Sequence, residues 1–266
     1  MSNEIIKTDN WWHSPAAHTL LAWEQRVLNQ AVDDVFGYHA VQLGLPVLDA
    51  LAENRMPHRW RFGLGAEAAQ HADCHAVVHP AALPLDSASV DLLVLPHTLE
   101  QTALPHDCLR EAARVLMPEG RVVITGLQPL SWWGAQFSLS RRVRRMRGLA
   151  LSEDDLAQDT PATHQMIGRW RLRDWLALLD FEVQWQRVGV FRPPWQNPAW
   201  QARLQGMEQW GARWAPWFGG AYVMVAVKRV VGMRRIRPAW RRASTRAQTA
   251  RAVERETERP AGRRAR

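Results

Sequence analysis

Residues 90–126 read VDLLVLPHTLEQTALPHDCLREAARVLMPEGRVVITG. The opening VDLLVLP is an apolar run interrupted only by Asp91, which is typical of a strand covered on both faces of a sheet. A helix follows, with apolar residues at i, i+3, i+4 and i+7, namely Leu109, Ala112, Ala113 and Leu116. RVVITG at 121–126 is a second strand of the buried type. The stretch therefore predicts a strand–helix–strand unit with a right-handed crossover in a parallel sheet.

Similar segments flank this unit on both sides. Strand-like stretches lie at 39–44, 58–63, 74–79, 181–188 and 221–229, and helix-like stretches at 14–35, 46–54 and 170–179. The first helix is amphipathic, with Ser14 as its cap and Pro15 in its first turn. The last two strands form a hairpin-like pair. We therefore predict an α/β fold with a Rossmann-like, doubly wound sheet that is mostly parallel and has an antiparallel last strand.

The chain divides by composition into three parts. We expect an N-terminal helical extension at 1–38, a main domain at 39–230 and a basic, disordered tail at 231–266. The main domain contains a basic and then acidic excursion at 127–165 and a Trp-rich insertion at 193–219. From Lys228 onward the chain carries 14 Lys/Arg against 3 Asp/Glu, whereas the preceding residues carry 20 against 23. The positive charge therefore belongs to the tail.

Composition also limits the class of protein. The 266 residues contain no apolar run long enough to span a membrane, and the N-terminus does not have the pattern of a signal peptide. Cys74 and Cys108 are the only two cysteines, too few for a disulfide framework. The ten histidines show no paired helical spacing, so we propose no metal. These features favour a cytoplasmic protein.

The stretch 82–126 resembles the centre of class I S-adenosylmethionine-dependent methyltransferases of the type-11 kind. The matching residues are Asp91, Leu99, Glu100, Leu109, Arg110, Glu111, Arg114, Val115, Leu116, Pro118 and Gly120. LDFEVQWQRVG and AYVMVAVKR resemble later strands of the same family, so the resemblance extends over roughly 40–229. It implies a methyltransferase sheet and S-adenosyl-L-methionine as the cofactor, with a small or lipophilic molecule as the acceptor.

The resemblance also implies where the cofactor lies. It assigns binding to the turns that follow three strands, at Gly44, Leu45, His79, Pro80, Pro96 and His97. His97 is in addition a candidate for positioning or deprotonating the acceptor. The turn after 39–44 departs from the family pattern, because Gln42 replaces an acid and Pro46 and Leu48 replace glycines. His79 stands where the family has an acid, and strand 58–63 ends without one.

Several alternatives remain open from the sequence. The chain is either an active methyltransferase or a methyltransferase-fold binding module that has lost its cofactor. Met207, Trp210, Trp214 and Trp217 form one helical face that packs on the sheet, covers an apolar acceptor or contacts a membrane interface. The tail at 234–266 is either a docking segment for RNA or another polyanion or a solubilising segment. Glu111 and Arg114 are predicted to form a surface ion pair.

Overall fold

The computed structural model describes residues 12, 14–69, 71–136, 138–139, 166–193, 211, 213–215 and 217–229. They belong to one compact unit, Met1–Val231. The predicted tail, most of the excursion at 127–165, and Met207 and Trp210 lie outside the described residues.

Seven strands form a single sheet. They are β1 (His39–Leu43), β2 (His58–Gly63), β3 (Ala76–Val77), β4 (Val90–Pro96), β5 (Leu116–Leu127), β6 (Phe181–Gly189) and β7 (Ala221–Lys228). Their order is β3-β2-β1-β4-β5-β7-β6. The first five strands are parallel, and β7 runs antiparallel to both β5 and β6. The predicted fold class, a doubly wound, mostly parallel sheet with an antiparallel last strand, is confirmed.

Five helices have both of their ends within the described residues. They are α1 (Pro15–Val32), α2 (Gly65–Ala68), α3 (Thr98–Gln101), α4 (Pro105–Val115) and α5 (Arg169–Leu178). The predicted start of α1 is confirmed, because the Ser14 hydroxyl accepts a hydrogen bond from the Ala17 amide at 3.2 Å. The predicted ion pair in α4 is also present, with Arg114 Nη2 at 2.7 Å from Glu111 Oε1.

The two faces of the sheet are covered by different helices. α1 packs over the face that presents Ala40, Leu92 and Val94. α4 and α5 pack over the opposite face, which presents Val41 and Leu93. Successive strand residues point to opposite faces, so β1 and β4 must be apolar at nearly every position to fill both cores. This explains why the central strands read as continuous apolar runs.

The prediction of a helix at 46–54 is wrong. This segment forms a series of turns. Its backbone carbonyls are held by side chains from the strands: Gln42 Nε2 donates to the Leu48 carbonyl at 2.6 Å, and Arg61 Nη2 donates to the Pro46 carbonyl at 2.7 Å. Because these carbonyls accept hydrogen bonds from side chains, the hydrogen bonds of a helix do not form in this segment.

Asp91, the first residue of the resemblance in β4, has a structural role. Its Oδ2 accepts hydrogen bonds from the backbone amides of Tyr38 at 2.8 Å and His39 at 2.9 Å, at the start of β1. Hydrogen bonds to a charged acceptor are stronger than neutral ones. The carboxylate therefore fixes β1 beside β4 at the amino end of the sheet.

We expect Asp91→Ala to lower the free energy of unfolding by about 2–3 kcal/mol, because two backbone amides lose a charged acceptor. Asp91→Asn retains an acceptor oxygen and should cost less. Urea unfolding followed by circular dichroism measures both, with Asp174→Ala, at an exposed position of α5, as the control. A stability of Asp91→Ala equal to that of the control would contradict this role.

Candidate functional site

The carboxyl ends of β1 and β4 meet where the strand order reverses, which is where open α/β sheets bind ligands. Gly44 follows β1 with φ +92°, and its amide donates to the Phe62 carbonyl at 2.8 Å. A Cβ at this position would lie 2.8 Å from the Thr98 hydroxyl oxygen, so the turn accepts only glycine without strain. Thr98 in turn donates to the Leu43 carbonyl.

Four of the six predicted site residues come together at this junction. Gly44 and Leu45 follow β1, Pro96 ends β4 and His97 follows it; all four are buried. His79 and Pro80 lie elsewhere, beyond the end of β3, with His79 exposed and its Nδ1 accepting from the Ala81 amide at 3.3 Å. The structure thus places the six predicted residues at two separate points along one edge of the sheet.

Gln42 organises the turn after β1. It is buried, and its amide nitrogen donates to the carbonyls of Gly44 at 3.3 Å, Leu45 at 3.3 Å and Leu48 at 2.6 Å. Its amide oxygen accepts from the Ala50 amide at 2.9 Å. A carboxylate in this place would have no proton to give to the three carbonyls. The replacement of the family's acid by glutamine therefore fits the conformation of this turn.

His97 lies at the centre of a buried charged cluster. It adopts a left-handed backbone conformation with φ 52°, directly after β4. Its Nε2 lies 2.9 Å from Glu24 Oε1, and its Nδ1 lies 2.9 Å from Glu100 Oε2. The other oxygen of Glu100 accepts from the Leu127 amide at 2.6 Å. The side chains of His97, Glu24 and Glu100 are 1%, 0% and 4% exposed, so the cluster is closed to solvent.

The electrostatics of this cluster favour a protonated imidazole. Burial by itself lowers the pKa of His97, but the negative charge of Glu24 and the hydrogen bonds to both glutamates outweigh it and raise the pKa to about 10. Burial also raises the pKa of Glu100, and its hydrogen bond to His97 offsets part of that rise. At neutral pH both ring nitrogens of His97 therefore donate, and neither is free to accept a proton.

The sequence did not reveal the partner of His97. Glu24 lies on α1, which the sequence assigns to an N-terminal extension, and Trp12 also reaches the cluster with its ring centroid 5.4 Å from that of His97. One indication was available: Glu24 occupies the apolar face of α1, among the buried residues Leu20, Leu21, Val27 and Leu28. A carboxylate on such a face requires a buried partner.

The backbone of this edge fits an adenosine-containing cofactor better than its side chains do. Gly44 brings bare backbone to the junction of β1 and β4. Gly65, after β2, has φ +75°, and a Cβ added there would meet nothing within 4 Å, so open space lies beside it. β2 ends in Gly63 and is followed by Leu64 and Gly65. Binding here would rest on the shape of this edge, which the glycines leave free of side chains.

Part of the chain matches a known protein family. Residues 63–124 match a family model described as a methyltransferase domain, of type 11. Over 180 residues the chain is 29% identical to the uncharacterized protein YafS of Escherichia coli K12, covering 67% of each chain.

Solved structures with a similar fold include SAM-dependent methyltransferases. A SAM-dependent methyltransferase from Thermotoga maritima superposes with a TM-score of 0.54 at 14% identity, covering 85% of this chain and 96% of that one. A SAM-dependent methyltransferase from Archaeoglobus fulgidus gives a TM-score of 0.51 at 11% identity, with 78% and 94% covered. At these identities the structures show the fold. The resemblance to class I methyltransferases is therefore confirmed for the fold and the matched domain.

Within the described ranges, no helix has both the length and the apolar character that crossing a membrane requires.

Gln42→Glu should lower the free energy of unfolding by about 2–4 kcal/mol near neutral pH, because a buried carboxylate would face three carbonyl oxygens. The loss should shrink at about pH 5, where the introduced acid regains a proton to donate. Urea unfolding at both pH values measures it. Gln184→Glu, at an exposed position of β6, makes the same chemical change outside the turn and should have little effect. Equal stability of the two variants would refute the assigned role of Gln42.

Stability should also fall as pH rises from neutral. The pKa of His97 is raised from 6.5 to about 10, so its stabilising contribution is complete below pH 6.5 and declines as pH approaches 10. We expect a loss of about 3 kcal/mol between about pH 6.5 and about pH 9. His97→Asn tolerates the left-handed backbone and should be less stable, with a flatter profile over this interval. Urea unfolding across the interval tests this, and parallel profiles for the two proteins would contradict it.

Proposed function

We propose that the chain is an S-adenosylmethionine-dependent methyltransferase that acts on a small or lipophilic acceptor. The observation that carries the proposal is the turn at Gly44. It lies at the point where the strand order reverses, in a chain whose residues 63–124 match a methyltransferase domain. When bound, the cofactor supplies an electrophilic methyl group on a positively charged sulfur.

The candidate residues divide by what they can contact. Gly44, Leu45 and Pro96 lie at the junction of β1 and β4, and we assign them to contact with the central part of the cofactor. His79 and Pro80, beyond β3, are assigned to the adenine side. The open space beside Gly65 lies between these two points, since β2 stands between β1 and β3 in the sheet. This arrangement follows the general position of ligands in doubly wound folds.

For His97 we propose a positioning role. Both of its nitrogens are engaged by buried glutamates, and burial separates the ring from solvent. The cluster therefore fixes the backbone of Pro96 and His97 at the candidate site. Correct placement of the reacting groups alone lowers the barrier of a bimolecular transfer substantially. An acceptor whose nucleophilic atom already has a free lone pair needs no base from the protein.

The proposed cofactor position is tested at Gly65. Asparagine tolerates a left-handed conformation, so Gly65→Asn should preserve the fold while its side chain enters the open space. We expect S-adenosylhomocysteine to bind about tenfold more weakly, equivalent to about 1.4 kcal/mol, in isothermal titration calorimetry of the full-length protein. The control is Ala88→Asn, at an exposed position with φ 54° before β4, which should bind as the wild type does.

Three outcomes decide the proposal. No binding of S-adenosylhomocysteine to the wild type at millimolar concentration rejects the cofactor. Equal affinities of the Gly65 and Ala88 variants reject its assigned position. Binding without transfer of labelled methyl groups to any component of a cell extract favours the binding-module alternative over the enzyme.

A further inference from the structure

An exposed apolar surface lies beyond the carboxyl end of β5. It consists of Leu130, Trp132, Trp217 and Phe218, which are 73%, 53%, 62% and 41% exposed, and we call it the tryptophan rim. The rings of Trp132 and Phe218 meet edge to face with centroids 6.1 Å apart. β5 ends at Leu127, which pairs with Ala221 at the start of β7. The segment that follows Leu127 and the segment that precedes Ala221 therefore meet here. Clustered exposed aromatic residues of this kind mark an interaction surface.

The sequence around the rim residues carries charge of one sign. Residues 127–148 contain no Asp or Glu and include five arginines, and residues 209–229 contain no Asp or Glu either. The five arginines, at 141, 142, 144, 145 and 147, follow Trp132 in the sequence by about 9 to 15 residues. The remainder of the chain before Lys228 is slightly acidic, so this absence of acids is local. The charge complements an anionic surface.

The kind of side chain distinguishes between two anionic partners. Single-stranded nucleic acids bind to the flat faces of aromatic rings, whereas the rim presents an edge-to-face pair and an exposed leucine. Tryptophan, phenylalanine and leucine beside basic residues are the composition of segments that lie in the boundary between lipid headgroups and acyl chains. Tryptophan in particular is enriched at this depth.

We propose that the tryptophan rim docks this protein on the surface of an anionic lipid bilayer. The aromatic side chains enter the headgroup boundary, and the positive charge of the sequence around the rim favours anionic headgroups. The attachment is peripheral and reversible. It is independent of the proposed methyl transfer, because the rim requires neither the cofactor nor an acceptor.

Vesicle flotation of the full-length protein tests the proposal. The wild type should float with vesicles of phosphatidylcholine containing phosphatidylglycerol and should float poorly with phosphatidylcholine alone. The double variant Trp132→Ser and Phe218→Ser should bind the anionic vesicles about tenfold more weakly, because both removed rings contribute apolar area to the bilayer. Phe36→Ser with Tyr38→Ser removes two aromatic rings that are 78% and 71% exposed before β1, and should bind as the wild type does.

The other outcomes overturn the proposal. One is that the wild type does not bind anionic vesicles at low salt. Another is that the rim variant and the wild type bind them equally, which would place the lipid contact elsewhere, for example in the basic tail. Rim-dependent binding of a single-stranded RNA without vesicle binding would assign the surface to nucleic acid. Circular dichroism melting of the rim variant verifies its folding, and its affinity for S-adenosylhomocysteine separates this result from the proposed function.

Discussion

The buried imidazole of His97 joins three segments that are distant in sequence. Its two nitrogens contact Glu24 in α1 and Glu100 in α3, and Glu100 also accepts from the Leu127 amide at the end of β5. Removing any one member would leave a charge without its partner inside the protein, which costs several kcal/mol. Because α1 supplies one carboxylate, the N-terminal helix completes the carboxyl edge of the sheet, where the candidate site lies.

A second set of polar contacts explains the unusual turn at Gly44. The methyltransferase pattern that the sequence resembles has an acid and several glycines in the first turn, whereas here Gln42 binds three backbone carbonyls and Arg61 binds the Pro46 carbonyl. These bonds hold the turn in one conformation without further glycines. The departures from the family pattern at Gln42 and Pro46 are thus consistent with one another, since the amide that replaces the acid also fixes the backbone around the proline.

What the sequence could predict depended on the range of the interactions. The strands and α4 followed from periodicity, because each buries side chains in a pattern that is visible within ten residues. The segment 46–54 was misassigned as a helix because its backbone is captured by Gln42 and by Arg61, which comes from the next strand, and no local pattern records such capture. The pairing of Glu24 with His97 spans 73 residues, and only the position of Glu24 on an apolar helix face pointed to it.

The candidate site and the tryptophan rim share the carboxyl edge of the sheet. β5 ends at Leu127, whose amide binds Glu100 of the charged cluster, and the chain then continues directly to Leu130 and Trp132. Seating the rim in a headgroup layer would therefore turn the edge that carries the candidate site toward the bilayer. A lipophilic acceptor would then have a short path from the apolar phase to that edge. On this arrangement the lipid surface would supply part of the acceptor's desolvation, which otherwise has to come from a closed protein pocket.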